Sequence, residues 1–193
     1  MGEFSFSVFP NENFLDLRIY QYGYEQCNPL QSFGPFIRNH YLFHYVISGR
    51  GSLDATAEDG VTTRRYEIHA GQGFLICPGL INTYFADESH PWKYVWIEFD
   101  GLRASESLRY AGLTAAQPIY QADDDIQSAE VRDLMLYVAE HPDASALHLI
   151  GYLYLFVDAL MRSSSKRLNA QGNQLKDFYI QEAVNYIEQN YQR

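Results

Sequence analysis

The chain is poor in cysteine, in long apolar runs and in positive charge. Cys27 and Cys77 are the two cysteines among 193 residues. That is too few for a disulfide-dense secreted scaffold, so both read as buried thiols in a reducing compartment. No 18-residue stretch is both apolar and uncharged, so no membrane span is expected. The opening MGEFSFSVFPNENF has no basic segment followed by an apolar one. No signal peptide is therefore expected, and the chain reads as cytoplasmic. Lys and Arg number 14 against 24 Asp and Glu, a formal net charge of −10. A domain of that balance is repelled by nucleic-acid phosphates when alone. Catalytic templates are missing too: there is no Gly-x-Ser-x-Gly elbow, no Walker loop and no dinucleotide fingerprint. Of six histidines only His40 and His44 are close in sequence, and no acidic residue follows at ligand spacing. The chain reads as a non-enzyme with no cofactor and no metal.

Aromatic residues are abundant, at 16% of the chain with 16 Tyr. That exceeds what core filling needs, because each buried tyrosine hydroxyl wants a partner. Two readings stay open: strands with packed rings and surface hydroxyls, or a carbohydrate pocket or protein interface.

The first hundred residues read as β-structure. Strand-like runs fall at 13–25, 41–48, 51–56, 62–68, 74–77, 82–87 and 92–99, separated by Gly- and Pro-bearing turns. Such spacing suggests a sandwich or small barrel. The period changes after residue 122. Val131, Leu134, Met135 and Val138 form one helical stripe within 125–141, and Asp123, Asp124 and Asp125 suit its positive end. A second helix is expected over 144–162, apolar almost all round and therefore covered on two sides. One side can pack on the sheet. The other can meet a second copy through Leu147, Ile150, Tyr154, Val157 and Met161. Residues 163–174 have linker composition, and an amphipathic helix is expected beyond them.

The richest segment is HPWKYVWIEFDG, residues 90–101. Along a strand, Trp92, Tyr94, Trp96 and Glu98 share one face, while Lys93, Val95, Ile97 and Phe99 share the other. Either the aromatics lie under a helix, or Tyr94, Trp96 and Glu98 face a lumen where an indole stacks on a sugar and a carboxylate accepts its hydroxyls. Arg38 offers five donors near the 41–48 run, and His44 sits mid-strand, either as a core histidine or in the same lumen. Tyr84 shares a face with Asn82.

Four stretches carry a family resemblance: GYEQCNPLQSFGPFIRNHY, HYVISGRGSLD, HAGQGFLICPGLINTYFAD and PWKYVWIEFDG. They resemble the N-terminal effector-binding domain of AraC-type transcription regulators, in particular members controlling sugar-utilisation operons in Gram-positive bacteria. The resemblance implies a mainly β fold with C-terminal helices: a cupin-like jelly-roll barrel followed by an antiparallel helix pair. It implies a sugar-binding barrel over 1–122, dimerisation helices over 123–162, a linker over 163–174, and over 175–193 the first helix of a C-terminal DNA-binding domain. The partners implied are a sugar effector (mono- or oligosaccharide, a galactoside among the candidates), a second copy, and DNA through helix-turn-helix units that this chain does not carry. An arabinose-responsive member contacts its sugar with an Arg, a Tyr after a Pro-Gly turn and a His-x-Trp pair. Arg38, Tyr84 and Trp96 match those, and Tyr94 stands where that member has His. His44 and Glu98 join the candidate ligand-binding set from strand facing alone. The N-terminal segment, to about residue 20, is expected to fold over the barrel mouth. Enzymatic cupins hold a metal with closely spaced His residues, a Glu and a later His. Here Asn82 stands at that last position and the His-x-His pair is missing. The rival readings are a metal-dependent cupin enzyme and a ligand-free dimerisation module.

Overall fold

The structure is a computed structural model that describes residues 3–9, 14–57 and 59–168. The expected final helix over 175–193, and the linker after residue 168, lie outside the described residues. Among the described residues, ten strands and three helices follow in order. The strands are β1 (Phe4–Val8), β2 (Arg18–Gln26), β3 (Ser32–Ile37), β4 (Tyr41–Ser48), β5 (Arg50–Thr56), β6 (Thr63–His69), β7 (Gln72–Ile76), β8 (Ile81–Ala86), β9 (Lys93–Asp100) and β10 (Ile119–Gln121). The helices are α1 (Ala104–Tyr110), α2 (Asp125–Glu140) and α3 (Ala146–Ser163).

The strands form two antiparallel sheets. One runs β1-β2-β9-β4-β7-β10 and the other β3-β8-β5-β6. The pairing is nested: β2 with β9, β3 with β8, β4 with β7, and β5 with β6. Successive strands from β2 to β9 alternate between sheets except at the central β5–β6 hairpin. This is the wound double hairpin of a jelly roll. Alternation along each strand then supplies two buried faces where both sides are covered. All of Tyr94 to Phe99 is buried because β9 lies between β2 and β4, with the second sheet on one side and helices on the other.

Two apolar clusters result. Between the sheets lie Leu42, Val46, Leu53, Ile68, Phe74, Tyr84, Trp92, Tyr94 and Trp96. On the outer face of the larger sheet, Phe43, Val95, Ile97 and Phe99 meet Val131, Met135, Leu153 and Phe156 from α2 and α3. Asp124 caps α2 by accepting from the Gln127 amide, and Ser145 caps α3 by accepting from the His148 amide. Buried hydroxyl pairs tie sheet to helices: Tyr45 with Ser128 and Tyr120 with Ser163, each at 2.6 Å. No described helix is long and apolar enough to cross a membrane.

Several expectations need correction. Ile150 and Val157 are only 3% and 5% exposed, packed in the core of their own chain, so they present no face to a partner. The expected stripe straddles the boundary between the core-facing and exposed sides of α3. Its exposed line runs through Leu147, Gly151, Tyr154 and Leu155, with Met161 half-buried at the margin. Cys77 is half-buried, not buried like Cys27. Four elements fall outside the expected runs. β3 contains Gly34 and Pro35, which weaken a strand signal and suit a sheet edge. β10 and α1 are too short to show a period. β1 lies in the segment expected over the barrel mouth; it pairs along β2 as the sheet edge, and its Phe4 and Phe6 line the cavity.

Candidate functional site

A cavity of about 250 Å³ opens between the sheets. β4, β8 and β9 supply its inner wall: His44, Tyr84, Tyr94 and Trp96. Arg38 enters from the turn after β3, and β2 adds Gln21 and Glu25. Phe4 and Phe6 of β1 and Phe33 of β3 close the apolar rim. Register brings these together. Glu25 stands opposite Tyr94, and His44 opposite Trp96, on neighbouring strands. Gly23 stands opposite Trp96 on the other side, and a Cβ there would come within 2.8 Å of the indole ring. Glycine is thus what lets the indole lie across β2. Phe4 stacks on that indole with centroids 6.1 Å apart.

The wall is chemically mixed. His44 is buried between rings: it stacks on Phe74 at 4.4 Å and meets the edge of Tyr94 at 4.8 Å and the tilted ring of Tyr84 at 5.0 Å. Its Nδ1 has no hydrogen-bond partner among the described residues. Burial, and then the nearby Arg38 charge, hold its pKa well below the ordinary histidine value, so the ring is neutral. Burial likewise pushes the Tyr84 and Tyr94 hydroxyls upward, which keeps both protonated and able to donate. The Cys27 thiol is pushed up to about 11 by burial, so it is no thiolate nucleophile. Glu25 accepts from the Tyr94 hydroxyl at 3.2 Å and from Gln31 Nε2 at 2.7 Å.

Glu98 is buried but stands apart from this cavity. It accepts from Gln21 Nε2 and, at 3.2 Å, from Arg38, and its other oxygen lies 3.3 Å from His40 Nδ1. With Arg38, His40, Phe36 and Ile37 it lines a neighbouring hollow of about 350 Å³. Its partners leave Glu98 holding Arg38 in place, not facing the lumen. Of the six expected site residues, the lumen therefore gathers Arg38, His44, Tyr84, Tyr94 and Trp96. The reading of the sequence missed Glu25, Gln21 and the phenylalanine rim. Glu25 and Gln21 share a face of β2 with Gly23, but only the β2–β9 register reveals what that face meets.

Another hollow, of about 380 Å³, lies outside the barrel against α1, with Tyr41, Leu108 and Arg109 in its wall. It holds no residue of the expected set and no convergent buried polar groups, so the lumen is the stronger candidate. Among the described residues no three His, Cys, Asp or Glu side chains stand close enough to hold a metal ion. The donors present do not fit the metal centre of an enzymatic cupin.

Residues 18–174 match the family model described as AraC-like ligand binding domain. The Msm operon regulatory protein of Streptococcus mutans is 27% identical over 188 residues, covering 96% of this chain and 65% of that protein. The raffinose operon transcriptional regulatory protein RafR of Pediococcus pentosaceus is 32% identical over 178 residues, covering 88% and 60%. The lactose operon transcription activator of Staphylococcus xylosus is 22% identical over 185 residues, covering 93% and 62%. The chain thus spans less than two thirds of the length of these relatives. Among solved structures, YhaK of Escherichia coli aligns with a TM-score of 0.44 at 12% identity over 53% of this chain and 46% of that one. An oxalate decarboxylase of Bacillus subtilis aligns at 0.39 and 14% identity over 55% and 34%. Both are loose likenesses, and the jelly-roll reading stands on the strand order itself.

Proposed function

The chain belongs to the AraC-like ligand-binding domain family, and from that premise we propose that it is the sugar-sensing part of a carbohydrate-operon regulator. One observation carries the reading: the lumen joins a stacking indole, two neutral tyrosine hydroxyls, a neutral imidazole, a guanidinium and a carboxylate around about 250 Å³. A sugar needs that combination. Its C–H face stacks on Trp96, and its hydroxyls both donate and accept. Arg38, Tyr84, Tyr94 and His44 surround the ring, while Glu98 acts by fixing Arg38. A ligand-free dimerisation module has no use for an orphaned buried His44 Nδ1 beside a cavity.

Sensing requires a readout. The barrel over 1–122 carries the ligand, and α2 with α3, in the range 123–162, forms an antiparallel pair through which two copies associate. The exposed stripe Leu147, Gly151, Tyr154, Leu155 supports that role. Gly151 costs roughly 1 kcal/mol against Ala in a helix interior, and a Cβ there would meet nothing within 4 Å of its own chain. A close-packed second copy gives that glycine a reason. DNA is reached through the segment beyond the chain described, as expected for relatives longer than this one. Ligand binding shifts the regulator only by its difference in affinity between two arrangements. β1, an edge strand, lays Phe4 against Trp96 at the rim of the cavity.

Calorimetry with a panel of mono-, di- and trisaccharides tests the reading. A neutral sugar is expected to bind, and Trp96→Ala is expected to weaken it about 100-fold, as for a buried aromatic anchor. Undiminished affinity in a folded Trp96→Ala protein would remove the lumen from the sensing site.

A further inference from the structure

The charge arrangement of the lumen reaches further, and the step rests on the sugar reading. Among the described residues lining the cavity, Arg38 is the one side chain with a fixed positive charge and Glu25 the one carboxylate. Arg38 already has a counter-ion outside the cavity, the buried carboxylate of Glu98 at 3.2 Å. Glu25 has none: its hydrogen-bond donors, Tyr94 and Gln31, are both neutral. His44 adds no charge, because burial keeps its ring neutral. Among the described residues, the walls therefore offer one cation already paired and one half-buried carboxylate with no ion-pair partner.

We propose that this cavity selects an uncharged sugar and rejects its phosphate ester, with Glu25 as the residue that sets the choice. The hydroxyls of a neutral sugar donate to Glu25 and accept from Arg38 and the tyrosines. A phosphate ester carries close to two negative charges at neutral pH. Inside the lumen it faces the Glu25 carboxylate, and the charge of Arg38 is already balanced by Glu98 at 3.2 Å. Like charges brought together at a partly desolvated site cost on the order of 100-fold in affinity. The inference places the sensor in a reaction sequence. The effector is a sugar that has not yet met a kinase or a phosphotransferase, supplied by uptake as the free sugar or by glycoside hydrolysis.

The test is calorimetric titration of the chain with neutral sugars, among them galactose and glucose, and with the 6-phosphates of those two hexoses. The expected result is a neutral binder whose phosphate ester binds roughly 100-fold more weakly or not detectably. Glu25→Gln should close that gap about tenfold by removing the charge, whereas Glu25→Asp should keep it. Unchanged melting temperatures establish that both variants are folded. A phosphate ester that binds the unaltered protein as tightly as its parent sugar overturns the proposal without any variant. So does a gap that persists unchanged in folded Glu25→Gln. If phosphate esters bind and neutral sugars do not, the charge rule fails while the sugar reading survives. If nothing in either set binds, the sugar reading itself fails and the charge rule falls with it.

Discussion

On one face of β9, Val95, Ile97 and Phe99 pack under α2 and α3; on the other, Tyr94 and Trp96, with Trp92 just before the strand, line the space between the sheets. Both faces are buried, so burial does not tell a core from a site. The difference lies in the side chains. Aliphatic and phenylalanine groups interdigitate until no void remains. Rigid rings with polar edges, set edge-to-face as Tyr94 is to both Trp92 and Trp96, leave gaps between them. Their polar atoms also need partners, and His44 Nδ1 has none among the described residues. The helix-covered face holds the domain together, and the barrel face leaves a cavity between the sheets.

The sharpest way to break that comparison is to open a void on the filled side. Phe156 on α3 is fully buried and packs its ring against Phe43 at 5.4 Å and Phe99 at 5.9 Å. Phe156→Ala should cost about 3–5 kcal/mol, the range for emptying a well-packed phenylalanine site. Urea denaturation reads this directly. A loss below about 1 kcal/mol would mean that this face is as loosely filled as the lumen, and the contrast would collapse.

Acid sharpens the same contrast with a smaller effect. His44 is neutral in the folded chain because burial, aided by Arg38, lowers its pKa well below 6.5. The unfolded chain takes up a proton near 6.5 while the folded one does not, so stability falls as pH drops below that value. The slope contributed by one such group is about 1.4 kcal/mol per pH unit until the folded pKa is reached. Denaturation curves between about pH 7 and pH 5 should show that loss in the unaltered chain and a flatter limb in His44→Gln. Parallel losses in the two proteins would assign the acid sensitivity elsewhere and leave His44 an ordinary core residue.

Much of this is legible in the sequence, for reasons particular residues make plain. The period-two pattern over 92–99 put Trp96 and Val95 on opposite faces, and the pairing of β9 with β2 and β4 keeps them there. Arg38, Tyr84 and Trp96 stand where the family resemblance points, and His44 stands mid-strand. What was not legible depends on partners distant in sequence. Glu98 shares strand parity with Trp96, yet Gln21, Arg38 and His40 draw its carboxylate out of the lumen. Glu25 is unremarkable on β2 until register sets it beside Tyr94. Ile150 and Val157 look like interface residues on a helix apolar all round, because nothing local says which side the sheet takes.

That last ambiguity gives the smallest expected change in stability and a clean change in assembly. Leu155 is 53% exposed on α3, beside Leu147 and the open notch at Gly151. Within one chain it buries little, so Leu155→Lys should alter folding stability by less than about 0.5 kcal/mol, as for most surface substitutions. A pair of helices meeting through this stripe would instead bring two lysines together at a two-fold axis, each residue facing its own equivalent or a near neighbour. Light scattering should then find the substituted chain monomeric at concentrations where the unaltered chain is dimeric. The same substitution on the opposite stripe, at Val157, should unfold the protein, because that side chain lies in the core beneath α3. A dimer that survives Leu155→Lys would move the association to another surface and leave the exposed leucines and Gly151 unexplained.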